Sequence, residues 1–202
     1  MKIIKYTRLS SGKYKVLFDN KKDLTLYEDV IVKYNLLYKK EINDKEYDEL
    51  VNLNNYQDIY NKVINYIKIR LRSKKEIINY LKKMDISNDL IENIIDKLII
   101  DKYIDDERFS IAYIKDKYNF SSNGPYKIIN ELVSLGIDRD LAYTYTFNII
   151  DNEEEKINKL INKYIKLDKK HDWYYVKNKI YNNLVNLGYS KDVVINILNN
   201  YN

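Results

Sequence analysis

The sequence predicts a mainly α fold: three tandem three-helix repeats preceded by a small N-terminal β-hairpin/helix module. Three observations carry this. One phrase recurs three times, about fifty residues apart, and a fixed period means copies of one supersecondary unit. It reads Ile77-Ile78-Asn79-Tyr80-Leu81 with Met84-Asp85-Ile86-Ser87, then Ile128-Ile129-Asn130-Glu131-Leu132 with Leu135-Gly136-Ile137-Asp138, then Ile180-Tyr181-Asn182-Asn183-Leu184 with Leu187-Gly188-Tyr189-Ser190. The second observation is punctuation. One Pro and four Gly in 202 residues leave little loop, which favours helices. The third is a change of texture after the first fifty residues, from short β-prone runs to helical periodicity.

Each element follows from local chemistry. Lys2–Arg8 and Lys13–Phe18 are β-prone runs separated by Ser10-Ser11-Gly12, and Leu24-Thr25-Leu26 suits a third strand. The pattern turns helical from Tyr27 to Leu37, and Asn43 with Glu46 opens another short helix as a capping box. Nine helices are expected after that, over 56–71, 74–84, 88–101, 106–119, 125–135, 139–150, 152–168, 173–187 and 191–201. Ser73 and Glu76 form a second capping box, and Pro125 stands at a first helical position, where its missing N–H costs nothing. Gly136 and Gly188 follow apolar runs, where a helix ends at positive φ; Asp85 holds that place in the first copy. Ser87, Asp138 and Ser190 are N-cap residues for the helix that follows. The parts are then the module 1–53 and repeats 54–104, 105–150 and 151–202.

Composition excludes several classes. With no cysteine, disulfides, thiol nucleophiles and zinc–thiolate sites are out, and a reducing, cytoplasmic setting is expected. No run is long and apolar enough to span a membrane, and no signal peptide is read. The net charge of +5 is mild, and it flanks an acidic middle: +2, +3, −2 and +2 over 1–50, 51–104, 105–150 and 151–202. His171 lies in a charged connector without a serine or metal-binding partner motif, and reads as a solvated side chain. The acidic runs Asp105-Asp106-Glu107 and Glu153-Glu154-Glu155 open helices, where the dipole favours them, and lack the spacing of a calcium loop. Gly124-Pro125 lacks the lysine of a phosphate loop. No enzyme, metal or cofactor is expected.

The punctuation residues also carry a family resemblance. Arg70-Leu71-Arg72-Ser73-Lys74-Lys75-Glu76, Tyr103-Ile104-Asp105-Asp106-Glu107-Arg108-Phe109, Gly124-Pro125, Glu131-Leu132 and Leu135-Gly136-Ile137 resemble the RecX family over about residues 55–202. The stretch Glu28–Leu36 resembles the N-terminal extension of longer members. The resemblance implies three helical repeats in an elongated, curved array that binds along the groove of the RecA–DNA filament. The implied effect is to modulate, mostly downward, RecA's ATPase, strand exchange and coprotease activity. The implied partners are the RecA filament and single- or double-stranded DNA reached through it, with the chain a monomer. Asp85 departs from the family's glycine, Asp101–Ile104 is more polar and aromatic than the pattern, and the third repeat matches only through Lys179–Val193. The rivals are a stand-alone DNA-binding helical repeat module and an adaptor for some other protein.

Basic residues are the candidate contacts. Lys68, Arg70, Arg72, Lys74 and Lys75 cluster where two helices of the first repeat meet, and Arg108, Lys115 and Lys127 are the candidates in the second. In the third, Lys156, Lys159, Lys163, Lys166 and Lys170 fall within an arc of about 80° on a helix, apart from the apolar Ile157, Leu160, Ile161, Tyr164 and Ile165. An unbroken lysine row repels itself unless an acidic partner neutralises it. The plain alternative is an ordinary solvated helix face. Trp173-Tyr174-Tyr175 could stack on bases or pack on a neighbouring helix.

Overall fold

The computed structural model describes residues 1–9, 12–168 and 170–201. They fall into two compact units, Met1–Leu71 with Ile78–Tyr103 and Arg72–Ile77 with Ile104–Asn202.

In the first unit, β1 (Ile3–Arg8), β2 (Lys13–Phe18) and β3 (Asp23–Tyr27) form an antiparallel sheet in that order. Alternation puts Val16, Phe18 and Leu26 on the inner face, where all three are fully buried. They pack with Val30 and Ile31 of α1 (Glu28–Lys33), with Leu36 in a single 3-10 turn (Leu36–Tyr38), and with Ile42 and Leu50. The expected helix from Tyr27 to Leu37 stops early, at Lys33, and Asn35 just beyond it takes a φ of 50° that a helix cannot continue through.

The short helix expected at Asn43 and the helix expected from 56 are one helix, α2 (Asp44–Ile69), opened by the Asn43–Glu46 capping box. It contains neither Gly nor Pro, and it runs unbroken across residues 53 and 54. Its Asn-rich middle does not break it, because Asn54 is engaged elsewhere. The Asn54 carboxamide accepts from Tyr27 N and donates to the Thr25 carbonyl, both at 3.0 Å. The later turns of α2 bury Ile59 and Val63, and the helix packs on α4 (Asn88–Ile100). Between them in sequence comes α3 (Lys74–Lys82), and the Tyr66 and Tyr80 rings stack at 4.2 Å.

The second unit holds α5 (Asp106–Phe120), α6 (Pro125–Ser134), α7 (Arg139–Ile149), α8 (Glu154–Leu167), α9 (Trp173–Asn186) and α10 (Lys191–Asn199). Each apolar stripe is buried. Ile128, Leu132 and Ile137 lie inside the second repeat; Ile157, Ile161, Ile180, Leu184, Tyr189 and Val194 lie inside the third. The helix stops are as the punctuation requires: φ is 52° at Asp85, 94° at Gly136 and 87° at Gly188. Ser87 and Asp138 cap the next helix through their side chains, whereas Ser190 holds the N-cap position without a side-chain bond.

Candidate functional site

Within the second unit, neighbouring repeats are joined at two equivalent places. At the first, Ser73 at the start of α3 donates its hydroxyl to the Leu135 carbonyl at 2.7 Å, and Lys75 Nζ donates to the Ser134 carbonyl at 3.0 Å. The Ser73 hydroxyl also accepts from Glu76 N, and the Glu76 carboxylate accepts from Ser73 N, so the predicted capping box is present. Lys74 N donates to Asp106 Oδ1 at 2.8 Å. At the second, Gly124 N donates to the Leu187 carbonyl at 2.7 Å and Tyr126 N to the Gly188 carbonyl at 3.0 Å. In both, the first turn of one repeat's middle helix sits on the turn that ends the next repeat's middle helix.

These joints sort the candidate cations. Lys68 and Arg70 are exposed at the end of α2, with Arg70 Nη1 donating to the Leu71 carbonyl. Arg72 is different: its side chain is 12 % exposed and lies 3.5 Å from Glu76, so it belongs to the capping box. Lys75 is spent on the joint, while Lys74 projects into solvent. On α5, Arg108 and Lys115 are exposed, and Phe109 beside Arg108 is buried against Tyr113. Lys127 is half-buried beneath the Gly188 turn. Glu131 accepts from Tyr113 Oη at 2.8 Å and from Asn123 Nδ2 at 3.0 Å, which fixes α5 to α6.

The lysine row of the third repeat divides as well. Lys159, Lys163 and Lys166 are exposed along α8. The row is not free of acid, since Glu155 pairs with Lys159 at 2.6 Å, one helical turn away. Lys170 is exposed beyond the end of the helix. Lys156 turns inward. Its Nζ donates to the Tyr118 carbonyl at the end of α5 and to the Asn123 carbonyl, and it lies 4.0 Å from the centre of the Tyr118 ring. Burial pulls its pKa down to about 8, against the pull of the two carbonyls and the ring face, which favour the ammonium. Burial also pushes up the neighbouring Glu153 carboxyl.

A further cluster was not legible in the sequence. His171 Nδ1 lies 2.7 Å from Asp168 Oδ1, and Lys179 Nζ 3.0 Å from Asp168 Oδ2. The hydrogen bonds from His171 and Lys179 hold the Asp168 carboxyl down to about 2. His171 is exposed, as the sequence reads, and it also stacks on Tyr175 at 4.4 Å. Asp172 caps α9 through Tyr175 N. Trp173 packs on the apolar core of the third repeat, while Tyr174 is exposed. Among the described residues no three His, Asp or Glu side chains are grouped to hold a metal, and no helix is long and apolar enough to cross a membrane.

What emerges is a protein of stacked helical repeats with exposed cations and tightly made joints, which is the build of a binding protein. Family models agree with that class. The model of the first three-helix domain of RecX matches residues 60–98, and that of the second matches residues 105–143. The regulatory protein RecX of Bacillus mycoides is 30 % identical over 169 residues, covering 83 % of this chain and 62 % of the relative. That of Listeria welshimeri is 30 % identical over 182 residues, covering 90 % and 68 %. This chain belongs to the RecX family. It spans 62 % of the length of the Bacillus mycoides relative. A crystal structure of a regulatory protein RecX shares the fold, with a TM-score of 0.81, 22 % identity, and coverage of 97 % of this chain and 98 % of that one.

Proposed function

We propose that the chain is a non-enzymatic, cytoplasmic regulator that binds along the groove of the RecA–DNA filament. In this reading it modulates, mostly inhibits, RecA's ATPase, strand exchange and coprotease activity. Family membership carries the reading: two consecutive three-helix domains match RecX over the segments that present Lys68, Arg70, Lys74, Arg108 and Lys115. The exposed Lys159, Lys163 and Lys166 on α8 support it, since a cationic face suits acidic protein surface or DNA phosphate. A body held in the groove would hinder entry of a second duplex and restrain the subunit motions that accompany ATP hydrolysis. The lysine row also suits the alternative, a stand-alone DNA-binding module.

The test is RecA's DNA-dependent ATPase with and without the purified chain, beside DNA binding by the chain alone. Inhibition well below one chain per RecA subunit supports the regulator. Tight DNA binding with an untouched RecA ATPase supports the alternative. Changing Lys159, Lys163 and Lys166 together to Gln keeps helix propensity and removes repulsion, so the fold should hold. Filament binding should weaken. If the lysines meet phosphates, the salt dependence should flatten by about one unit of slope for each phosphate no longer neutralised.

A further inference from the structure

We propose that the last residue of the first helix in each repeat, Ile69, Phe120 or Leu167, is an anchor for an apolar, carboxylate-rimmed hollow on a protein partner built of repeating subunits. The proposal rests on the filament-binding reading and names contacts for it.

The observation is a recurrence. The helices α2, α5 and α8 end on Ile69, Phe120 and Leu167, which are 78 %, 86 % and 73 % exposed. A single exposed apolar side chain needs no explanation. Three at one structural position do, because nothing in helix termination asks for a large apolar residue there. The middle helices end on Lys82, Ser134 and Asn186, all polar. The third helices show no such repetition, since Ile100 is exposed, Ile149 is half-buried and Asn199 is polar. Ile69 and Phe120 also keep the register of the buried pair Leu81 and Leu132, so they are the same position of the repeat. In the third repeat α9 begins about one turn earlier and α8 ends earlier as well, so Leu167 leaves that register but still closes its helix.

The surroundings select the partner. Ile69 lies between Lys68 and Arg70, Phe120 follows Lys117 by about one turn, and Leu167 follows Lys166 at the end of the exposed row on α8. Cations around an apolar knob fit an apolar hollow with carboxylates at its rim. Two of the three knobs are aliphatic and give bases no stacking face, which argues for protein over single-stranded DNA. One anchor per repeat suits a partner that offers the same hollow on each of its subunits.

The test uses the full chain with Ile69→Ser, Phe120→Ser and Leu167→Ser, singly and together. Binding to RecA filaments on DNA is read by anisotropy of labelled chain. Each single change should weaken binding about tenfold, as expected for withdrawing one apolar side chain from a buried interface, and the triple change by a hundredfold or more. Because the sites are exposed, melting should move by no more than about 2 °C. The conservative changes Ile69→Leu, Phe120→Leu and Leu167→Ile should bind within about threefold of the parent, and they decide the matter if a serine variant melts early. A triple variant that binds filaments like the parent overturns the inference while the filament reading stands. A parent that does not bind filaments overturns both. Equal loss of binding to bare DNA would make bases the occupant, and conversion of a parental dimer to monomer would make it a second copy; either result overturns the inference.

Discussion

The two joints of the second unit do the same task by different chemistry. The joint at Ser73 is held by side chains, a hydroxyl and an ammonium on the Leu135 and Ser134 carbonyls. The joint at Gly124 is held by the backbone itself, through the amides of Gly124 and Tyr126 on the Leu187 and Gly188 carbonyls. The backbone joint brings main chain against main chain. A Cβ on Gly124 would lie 2.6 Å from the Gly188 carbonyl carbon, and a Cβ on Gly188 would fall on the Lys127 backbone nitrogen. At the side-chain joint a Cβ on Gly136 would instead meet the Lys75 side chain, at 2.7 Å from its Cβ and 2.9 Å from its Cδ. Close approach of backbones leaves no slack; at Gly136 the Lys75 Cγ and Cδ can swing aside, but its Cβ moves only with the start of α3. Both joints are therefore tight, and the Gly124 joint is the tighter of the two.

Glycine substitutions break that comparison most sharply. Gly188→Ala combines a positive φ with a clash on main chain, and should cost about 3–4 kcal/mol in chemical denaturation. Gly136→Ala carries the same φ penalty and meets the Lys75 Cβ with a less severe overlap, and should cost about 2–3 kcal/mol. Equal losses would show that the joints are equally rigid and that only the backbone conformation matters.

A smaller effect is expected at the cap. Ser73→Ala removes one hydroxyl that caps α3 and bonds Leu135, and should cost about 1–2 kcal/mol in the same measurement. Ser73→Gly loses the same two bonds but keeps a residue that suits an N-cap, so it should cost less than Ser73→Ala. Equal losses from the two changes would place the cost in the bond to Leu135 and not in the cap.

The smallest effect is a pH dependence at Lys156, the cation that clamps the end of α5 beside the Gly124 joint. Its folded pKa of about 8 lies below the ordinary lysine value of 10.5. Between those values the unfolded chain binds a proton that the folded chain has released, so this group adds stability as pH rises. Lys156→Met should lose that slope. From pH 7 to pH 10 the parent should gain about 1 kcal/mol relative to the variant in urea titrations, a figure reduced for the solvent that reaches the group. A constant difference across that range would mean that the two carbonyls and the Tyr118 ring keep the lysine charged.

Much of this fold was legible because helix ends are local events. Ser73, Asp138, Pro125, Gly136 and Gly188 each act within one turn of chain, and the helices from α3 onward begin and end within two residues of expectation. The merger of two expected helices into α2 was not legible. What keeps Asn54 from competing with the helix is β3, about thirty residues away in sequence. The candidate site shows the same division. The exposed places of Lys159, Lys163 and Lys166 follow from helical periodicity alone, opposite the buried Ile157 and Ile161.

Sequence alone thus determined where helices start, stop and turn their apolar sides, because capping, positive φ and the 3.6-residue period act between near neighbours. Tertiary structure alone decided which cations remain for a partner. Lys156 shares an arc with four other lysines, yet the carbonyls of Tyr118 and Asn123 claim it; Arg72 and Lys75 sit in a basic cluster, yet Glu76 and the Ser134 carbonyl claim them. A helix end carries unsatisfied carbonyls whose donors can come from any part of the chain that folding brings near. The pattern of charge along a helix does not record which lysine will be there.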